Sequence, residues 1–261
     1  MSNPDAQSMS GLLYDFKKAW LRNELEVYLQ PQIYADNRQI AGFEALIRWR
    51  HPTKGIILPA VFLPLAQELN MMEKLDYFVF DKVCAFLAKR QKDGKSLFCI
   101  SANFEREHFY DPAFVPTLEK IRRKYDVSTQ YLSVEMLEGS FFSSTKQVKT
   151  NLKILRRLGY GVYLDDCGSN ESNISDLMFE DVTHVKLDRS VVQNLHKDHV
   201  RLLLTGLCET MHRMSYKVVY EGVETFEQLQ LAKEIGVDIV QGFYFYRPMN
   251  LLRAEILYDL N

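Results

Sequence analysis

Polar and charged side chains interrupt or end short apolar segments throughout this chain. They are Gln30, Glu44, Arg48, Asn103, Glu135, Asp165, Asp166, Lys186, Glu221, Glu224 and Gln241. A carboxylate inside an apolar segment loses its hydration, which costs free energy unless a positive group compensates it. Five or more carboxylates converging on one place would repel one another, and divalent cations are then the expected partners. The pattern therefore predicts a metal site.

The donor types indicate which metal and which reaction. Carboxylates and an amide oxygen, without thiolates or imidazoles, favour hard ions such as Mg²⁺ or Mn²⁺ over zinc. The adjacent Asp165 and Asp166 could let one carboxylate bridge two ions while its neighbour binds the second. Two ions about 3.5–4 Å apart form a clamp for in-line displacement at phosphorus. Phosphodiester hydrolysis follows as the predicted reaction class.

Eight apolar segments rich in β-branched and aromatic residues predict the strands that position these side chains. They cover residues 27–34, 42–49, 97–104, 131–137, 161–168, 184–190, 217–224 and 239–245. Helical patterns separate most of them, over 59–69, 75–90, 111–125 and 225–235. Because parallel strands need crossover connections, this alternation predicts an α/β fold, a parallel TIM-like (β/α)8 barrel. In such a barrel the site residues belong at the C-terminal ends of the strands.

The chain reads as one domain, because no Gly/Ser-rich or Pro-rich linker divides it. Residues 1–10 are small and polar and predict a flexible N-terminal tail, with the domain over 11–261. Apolar residues at helical spacing over 12–26 predict an opening amphipathic helix. The segment over 225–235 has the clearest helix boundaries, with Thr225 and Gln228 at capping-box spacing and Gly236 at the end.

The amino-acid composition limits the classes of binding partner and the location that we expect. The 32 Lys and Arg residues nearly balance the 34 Asp and Glu residues, so no global basic field would gather a nucleic-acid polymer or an anionic membrane. The four cysteines form no CxxC pair, which argues against a disulfide framework and a thiolate zinc site. No long apolar stretch or secretory signal is present, and a cytoplasmic location is predicted.

The motifs around these residues resemble the EAL domain family, the cyclic di-GMP phosphodiesterases. The segment over 43–68, which contains Glu44, Ala45 and Leu46, is similar to the family's signature. The similarity continues through LQP, SAN, VEMLE, LDD, VKLD, YEGVE and QGFYFYRP. These motifs keep the family's order and spacing over roughly residues 11–250.

The resemblance implies roles for the polar residues. Metal ligation falls to Glu44, Asn103, Glu135, Asp165 and Asp166. The catalytic group is Glu44 with Lys186 and Glu221 near the attacking water, and Glu221 is the general base. Residues that line or support the substrate site correspond to Gln30, Arg48, Glu224 and Gln241. The implied reaction opens cyclic di-GMP to the linear dinucleotide pGpG with two Mg²⁺ or Mn²⁺ ions.

One segment departs from the family. After the paired aspartates the family usually has DDFGTGYSSL, whereas this chain has DDCGSNESNI over 165–174. In the family this loop helps hold the second aspartate and the metals, with Glu138 resembling its anchor and Gly168 retained here. Cys167 replaces a large aromatic support, and loose surroundings can lower the metal affinity or the activity of a complete ligand set.

Two functions from different classes therefore stay open. The retained metal and base residues favour a hydrolase in bacterial second-messenger signalling. The rewritten loop favours a cyclic di-GMP receptor or protein-interaction module. A homodimer and a regulatory protein partner are compatible with both.

Structural alternatives also exist for single residues. Lys186 could lie on an edge strand, and Arg48 could pair with an acid across strands. His196 and His199 are more typical of a solvated helix face than of a zinc site. The aromatic segment GFYFYRP is more typical of core or barrel-wall packing than of a base-stacking platform.

Overall fold

The computed structural model describes residues 4–137, 146–168 and 180–261. Its strands are β1 Leu25–Tyr34, β2 Ile40–His51, β3 Gly55–Ile57, β4 Ile100–Phe104, β5 Leu132–Leu137, β6 Gly161–Cys167, β7 His184–Leu187, β8 Lys217–Glu221, β9 Ile239–Gln241 and β10 Met249–Asn250. Its α-helices are α1 Pro4–Ala19, α2 Pro59–Glu68, α3 Met72–Lys92, α4 Arg106–Tyr110, α5 Phe114–Tyr125, α6 Lys146–Leu158, α7 Arg189–Val192, α8 Asp198–Arg213, α9 Phe226–Glu234 and α10 Leu251–Asp259. A 3₁₀ turn, Thr129–Tyr131, leads into β5.

Eight of these strands close into a barrel flanked by helices, which confirms the predicted fold. The strands from β2 through β4, β5, β6, β7 and β8 to β9 are parallel neighbours. β1 closes the barrel, and it runs antiparallel to both β2 and β9. The expectation of a fully parallel barrel is therefore wrong at β1. Only residues 35–39 join β1 to β2, and a connection this short cannot cross over to a parallel neighbour.

The opening helix also differs from its prediction. It begins at Pro4, so residues 4–10 are helical where the sequence predicted a loose tail over 1–10. A proline is tolerated in the first turn because that turn's N–H groups have no partner within the helix. The helix ends at Ala19, before the predicted end at 26, because the chain turns at Asn23 with φ +54° and then enters β1. The predicted domain start at residue 11 stays a prediction.

Helix α1 is attached to the barrel by aromatic packing. The Phe16 ring lies 5.2 Å from Trp49 on β2 and 5.5 Å from Phe62 on α2. Trp49 Nε1 donates a hydrogen bond to Glu24 Oε2 at 2.9 Å, which satisfies the indole inside this cluster. These contacts bury the start of the domain against β2, the strand that carries Glu44.

Several predicted strands end earlier than expected. The segments over 184–190, 217–224 and 239–245 stop at Leu187, Glu221 and Gln241. After β7, Asp188 Oδ1 accepts a hydrogen bond from Ser190 N at 2.8 Å, and this side-chain cap precedes the start of α7. After β8, Gly222 adopts φ +73°. The site residues therefore stand at or near the strand ends, where the chain turns into loops.

The four predicted helices between strands are present, although α3 begins three residues earlier than predicted and α5 begins three residues later. Ala113 rather than Asp111 precedes that helix, although Asp111 Oδ1 accepts a hydrogen bond from Ala113 N at 2.8 Å. The capping box of Thr225 and Gln228 is present at the start of α9. Gly236 follows this helix with φ +85°, a conformation that glycine adopts without steric cost.

The barrel interior has an apolar layer beneath the polar site. Tyr163, Val219 and Ile239 form a buried cluster. Each stands two residues before a polar site residue on the same strand, so both share the inward face. One further step down, Gly161 pairs with Ser133, and a Cβ added at Gly161 would lie 2.2 Å from Ser133 Oγ. The floor of the barrel is therefore close-packed.

This close approach gives a stability prediction. Gly161→Ala should lower the free energy of unfolding by about 1–3 kcal/mol, because the added methyl group overpacks the interior. Ser133→Ala in the same chain should recover part of that loss by removing the clashing hydroxyl. Urea denaturation of the single and double variants measures both effects. Gly206→Ala is the control, since a Cβ there meets no atom within 4 Å. A double variant no more stable than Gly161→Ala would contradict the packing argument.

Candidate active site

A buried lysine stands at the centre of the predicted site residues. Lys186, 1% exposed on β7, places its Nζ 2.6 Å from Glu135 Oε2 and 2.7 Å from Glu221 Oε1. The same Nζ lies 3.0 Å from Asp165 Oδ2 and 3.9 Å from Glu44 Oε1. Carboxylates from β2, β5, β6 and β8 thus converge on one ammonium group. The edge-strand explanation of Lys186 is wrong, because β7 has a neighbour on both sides.

Two neighbouring amides complete the lower part of the site. Asn103 Nδ2 donates to Glu44 Oε1 at 2.8 Å, and Gln241 Nε2 donates to Glu44 Oε2 at 2.5 Å. Gln241 Nε2 also lies 3.3 Å from Gln30 Oε1. These bonds fix the Glu44 carboxylate and use the nitrogen of Asn103, which leaves the amide oxygen available to a cation.

The paired aspartates lie where β6 loses its regular register. The pairing of β6 with β7 shifts between Leu164 and Cys167, and Asp166 adopts φ +59°. Asp166 N donates to Asp165 Oδ1 at 2.9 Å. Oxygen atoms of Asp165, Asp166 and Glu221 all lie within 4.8 Å of one another. The irregular strand end therefore brings both aspartates, which would otherwise face opposite sides of the sheet, toward Glu221.

The donor set fits divalent cations. Glu135 is 1% exposed, and within the described ranges its Oε1 has no hydrogen-bond partner, although an unpaired buried carboxylate oxygen is costly. The donors around it are carboxylates and an amide, the ligand types of Mg²⁺ and Mn²⁺. One ammonium group is surrounded by at least four carboxyl groups, so the site has an excess of acidic groups that cations could neutralise.

The titration behaviour of the site reflects this excess of acids. Burial raises the pKa of Glu135 to about 8 although Lys186 opposes the shift, and burial with the charge of Asp165 raises the pKa of Asp166 to about 6. Burial also raises the pKa of Glu221 well above its usual value. Burial alone would lower the pKa of Lys186, but the surrounding carboxylates raise it well above normal. Without a metal, the cluster therefore tends to hold protons near neutral pH.

A cavity of about 230 Å³ opens over the cluster. Its lining includes Gln30, Glu44, Asp165, Lys186, Glu221, Glu224 and Gln241, and also Leu46, Arg189 and Phe243. The last three were not predicted as site residues. Arg189 follows the VKLD motif and Phe243 follows QG, so their neighbours gave a signal that sequence reasoning did not use. Because Phe243 is exposed and lines the cavity, the segment GFYFYRP contributes to more than core packing.

Three predicted site residues lie apart from this cluster or outside the described ranges. Arg48 stands four residues after Glu44 on β2, with its Nη1 donating to Ile47 O at 2.8 Å. The structural alternative, in which Arg48 pairs with an acid across strands, is not observed among the described residues: the neighbouring Arg50 pairs with Glu26 at 2.6 Å, and no described carboxylate lies within 4.0 Å of Arg48. Gly168 follows β6 with φ +91°. Glu138 lies outside the described residues, as does most of the rewritten loop.

Comparison with known proteins places this site in a family. The EAL domain model matches residues 14–248. The chain belongs to the EAL domain family. Both the family resemblance and the single-domain barrel are thereby confirmed. No helix among the described residues is long and apolar enough to cross a lipid bilayer.

Relatives of this EAL domain include signalling proteins. The oxygen sensor protein DosP of Escherichia coli is 30% identical over 234 residues, which make up 89% of this chain and 29% of DosP. The bifunctional diguanylate cyclase/cyclic di-GMP phosphodiesterase MucR of Pseudomonas aeruginosa is 28% identical over 248 residues, 95% of this chain and 36% of MucR. The chain thus spans about a third of the length of these relatives.

A solved structure supports the same assignment. The MucR phosphodiesterase in complex with c-di-GMP superimposes with a TM-score of 0.85 at 27% identity, over 94% of this chain and 99% of that one.

The central ion cluster predicts a pH-dependent stability. Because the folded state holds a proton on Glu135 between pH 4.5 and about 8 that the unfolded state releases, the metal-free protein should lose stability as pH rises through this window. Lys186→Met should steepen the loss, costing about 3–5 kcal/mol at pH 8, where the unpaired carboxylates are charged, and less at pH 5. Urea denaturation in EDTA at both pH values measures this.

The exposed Lys197→Met is the matched control and should leave stability unchanged at both pH values. An equal loss for Lys186→Met at pH 5 and pH 8 would show that Lys186 acts through packing rather than charge.

Proposed function

We propose that this EAL domain is a metal-dependent phosphodiesterase that hydrolyses cyclic di-GMP to linear pGpG. The observation that carries the proposal is the convergence of four carboxylates on Lys186 at the mouth of a barrel, with a buried carboxylate oxygen of Glu135 left unpaired among the described residues. Such an arrangement is unfavourable as a structural core and suits a cation site.

Two divalent ions would be held by carboxylates and one amide. The proposed ligands are Glu44, Asn103, Glu135, Asp165 and Asp166. When bound, Mg²⁺ or Mn²⁺ would supply positive charge to the phosphate and lower the pKa of the attacking water. The contribution of the chain is to hold these oxygens in place, through the amide bonds to Glu44 and the bond from Asp166 N to Asp165.

The remaining residues act on the proton and on the substrate. Glu221 is the proposed general base, because its carboxylate stands at the end of β8 beside the paired aspartates and lines the cavity where the attacked phosphate would lie. Lys186, 2.7 Å from Glu221 Oε1, orients that carboxylate. Arg48 has no carboxylate within 4.0 Å among the described residues, and we assign its guanidinium to a phosphate of the substrate. The remaining proposed substrate contacts lie around the cavity, at Gln30, Glu224 and Gln241.

The substrate assignment is supported by the relatives. MucR is named for cyclic di-GMP chemistry, and its phosphodiesterase structure holds c-di-GMP on the same fold. The cavity of about 230 Å³ lies over the acids, and in this proposal the bases of the dinucleotide extend from it over the open rim. A cytoplasmic location, a homodimer and a regulatory partner stay predictions.

A receptor without turnover is the second candidate, favoured by the replacement at position 167. Cys167 is 4% exposed and packs in the main core directly after Asp166. A thiol fills less volume there than the family's aromatic ring, which leaves the backbone of the second aspartate with less side-chain support. Such a domain would bind cyclic di-GMP and leave it intact.

Product formation separates the two candidates. Purified protein with cyclic di-GMP and Mg²⁺, or separately Mn²⁺, should yield pGpG by chromatography, and EDTA should abolish the product. Glu44→Ala should also abolish it, because Glu44 is a proposed metal ligand held by two amides. Binding of cyclic di-GMP without any pGpG would contradict the enzyme and select the receptor.

The general base is tested by a nearly isosteric change. Glu221→Gln should lower kcat by about 10²–10⁴-fold, the range that general-base catalysis contributes, while cyclic di-GMP still binds. Calorimetric titration and single-turnover kinetics give the two quantities. The exposed Glu227→Gln on α9 is the control and should keep wild-type kcat. A wild-type rate for Glu221→Gln would assign the base elsewhere.

A further inference from the structure

An ion pair between the start of α7 and the loop after β8 forms part of the rim of the active-site cavity. Arg189 Nη2 lies 2.9 Å from Glu224 Oε1, and the two side chains are 56% and 41% exposed. Arg189 begins α7 just after β7, and Glu224 follows β8. Both line the cavity together with Lys186 and Glu221. The pair therefore faces any molecule that occupies the cavity.

The stem of Arg189 is held in place by the loop beside it. Asp188 accepts a hydrogen bond from Ser190 N, which fixes the backbone on both sides of Arg189. The stem lies against Gly222, where an added Cβ would come within 2.8 Å of Arg189 Cγ. Gly222 adopts φ +73°, so both its conformation and its bare Cα suit this contact. The guanidinium is thus directed along the rim.

The backbone of Glu224 is fixed just as firmly. Glu224 N donates to Gln228 Oε1 at 2.6 Å, and the preceding Val223 N donates to Gln241 O at 3.1 Å. Gly242 packs so closely that a Cβ there would lie 2.0 Å from Val223 O. An exposed ion pair adds little to stability, typically about 0–1 kcal/mol. This much positioning around an exposed pair points to recognition.

We propose that the Arg189–Glu224 pair selects guanine by reading the edge of one base of cyclic di-GMP, an inference that rests on the proposed function. Guanine presents the acceptors O6 and N7 to a guanidinium fork. Its neighbouring N1–H and N2–H₂ groups are donors that one carboxylate accepts together. An arginine and a glutamate held side by side match this row of acceptors and donors.

Adenine would meet the wrong partner at both residues. It has an N6 amino donor where guanine has O6, and this donor would face the guanidinium. Its N1 is an acceptor and would face the carboxylate. Polar groups left facing a like partner lose the hydrogen bonds they make in water, which is an effective way to reject a ligand. The pair therefore disfavours cyclic di-AMP as well as favouring cyclic di-GMP.

Calorimetric titration with cyclic di-GMP and cyclic di-AMP tests the inference, in a Glu221→Gln parent so that the ligand is not consumed. Arg189→Met should weaken cyclic di-GMP binding by about 10- to 100-fold, the range of one bidentate base contact, and should not weaken cyclic di-AMP binding, because the guanidinium that faces the N6 donor is removed. Glu224→Gln should weaken cyclic di-GMP binding and strengthen cyclic di-AMP binding, because an amide can donate to adenine N1.

Two further variants sharpen the test. Arg189→Lys keeps the charge but loses the fork, so the preference for guanine should fall. Arg201→Met removes another exposed ion pair, with Asp198 at 2.6 Å, away from the cavity lining and should leave both affinities unchanged.

The outcomes separate this inference from the proposed function. If Arg189→Met weakened the binding of both dinucleotides equally, or if Arg189→Lys kept the parent's preference for cyclic di-GMP, Arg189 would only attract phosphate. Either result would overturn the inference. An unchanged guanine preference in all variants would overturn it while leaving the proposed ligand intact. A parent that binds neither dinucleotide would overturn both.

Discussion

The structure of this site depends on the attraction between the Lys186 ammonium and the carboxylates that surround it. Lys186 on β7 is only 1% exposed, and its Nζ lies within 3.0 Å of acids carried by three other strands. Without that charge the acids would repel one another or take up protons, and the barrel mouth could not close around them. The same ammonium occupies oxygen atoms that metals would use, so the cluster is held together before any cation binds.

The packing of the barrel interior below the site holds the strands together against the repulsion between the acids. Tyr163, Val219 and Ile239 form a buried apolar layer one step beneath the polar residues, and Gly161 meets Ser133 beneath that. Close packing of the floor prevents the strands from relaxing apart under the repulsion above. β1 contributes by closing the barrel antiparallel to both neighbours, which sets Gln30 opposite Glu44 in register. The geometry of the acids is therefore a property of the whole barrel.

Much of this arrangement was predictable from the sequence, since alternating apolar segments fix the strands and polar interruptions mark their ends. What escaped prediction depends on local geometry. The direction of β1 follows from a connection of five residues, 35–39, rather than from any periodicity. Arg189 begins the four-residue helix α7 and Phe243 lies in a turn, and in both places no repeating pattern shows which way a side chain points. The early ends of β7 and β8 depend on a side-chain cap at Asp188 and on the φ angle of Gly222, which apolar patterning does not reveal.

The effect of the unusual residue after the aspartates can be argued from the backbone. Asp166 adopts φ +59°, a conformation that costs a non-glycine residue about 1–2 kcal/mol and needs support. Two bonds contribute to that support: Asp166 N donates to the side-chain oxygen Asp165 Oδ1, and Asp188 N donates to Cys167 O at 3.0 Å, which ties the strand end to β7. Neither bond involves the Cys167 side chain. These bonds therefore help to place the second aspartate without the side chain at 167, so a thiol in place of an aromatic ring there is compatible with the observed position of Asp166.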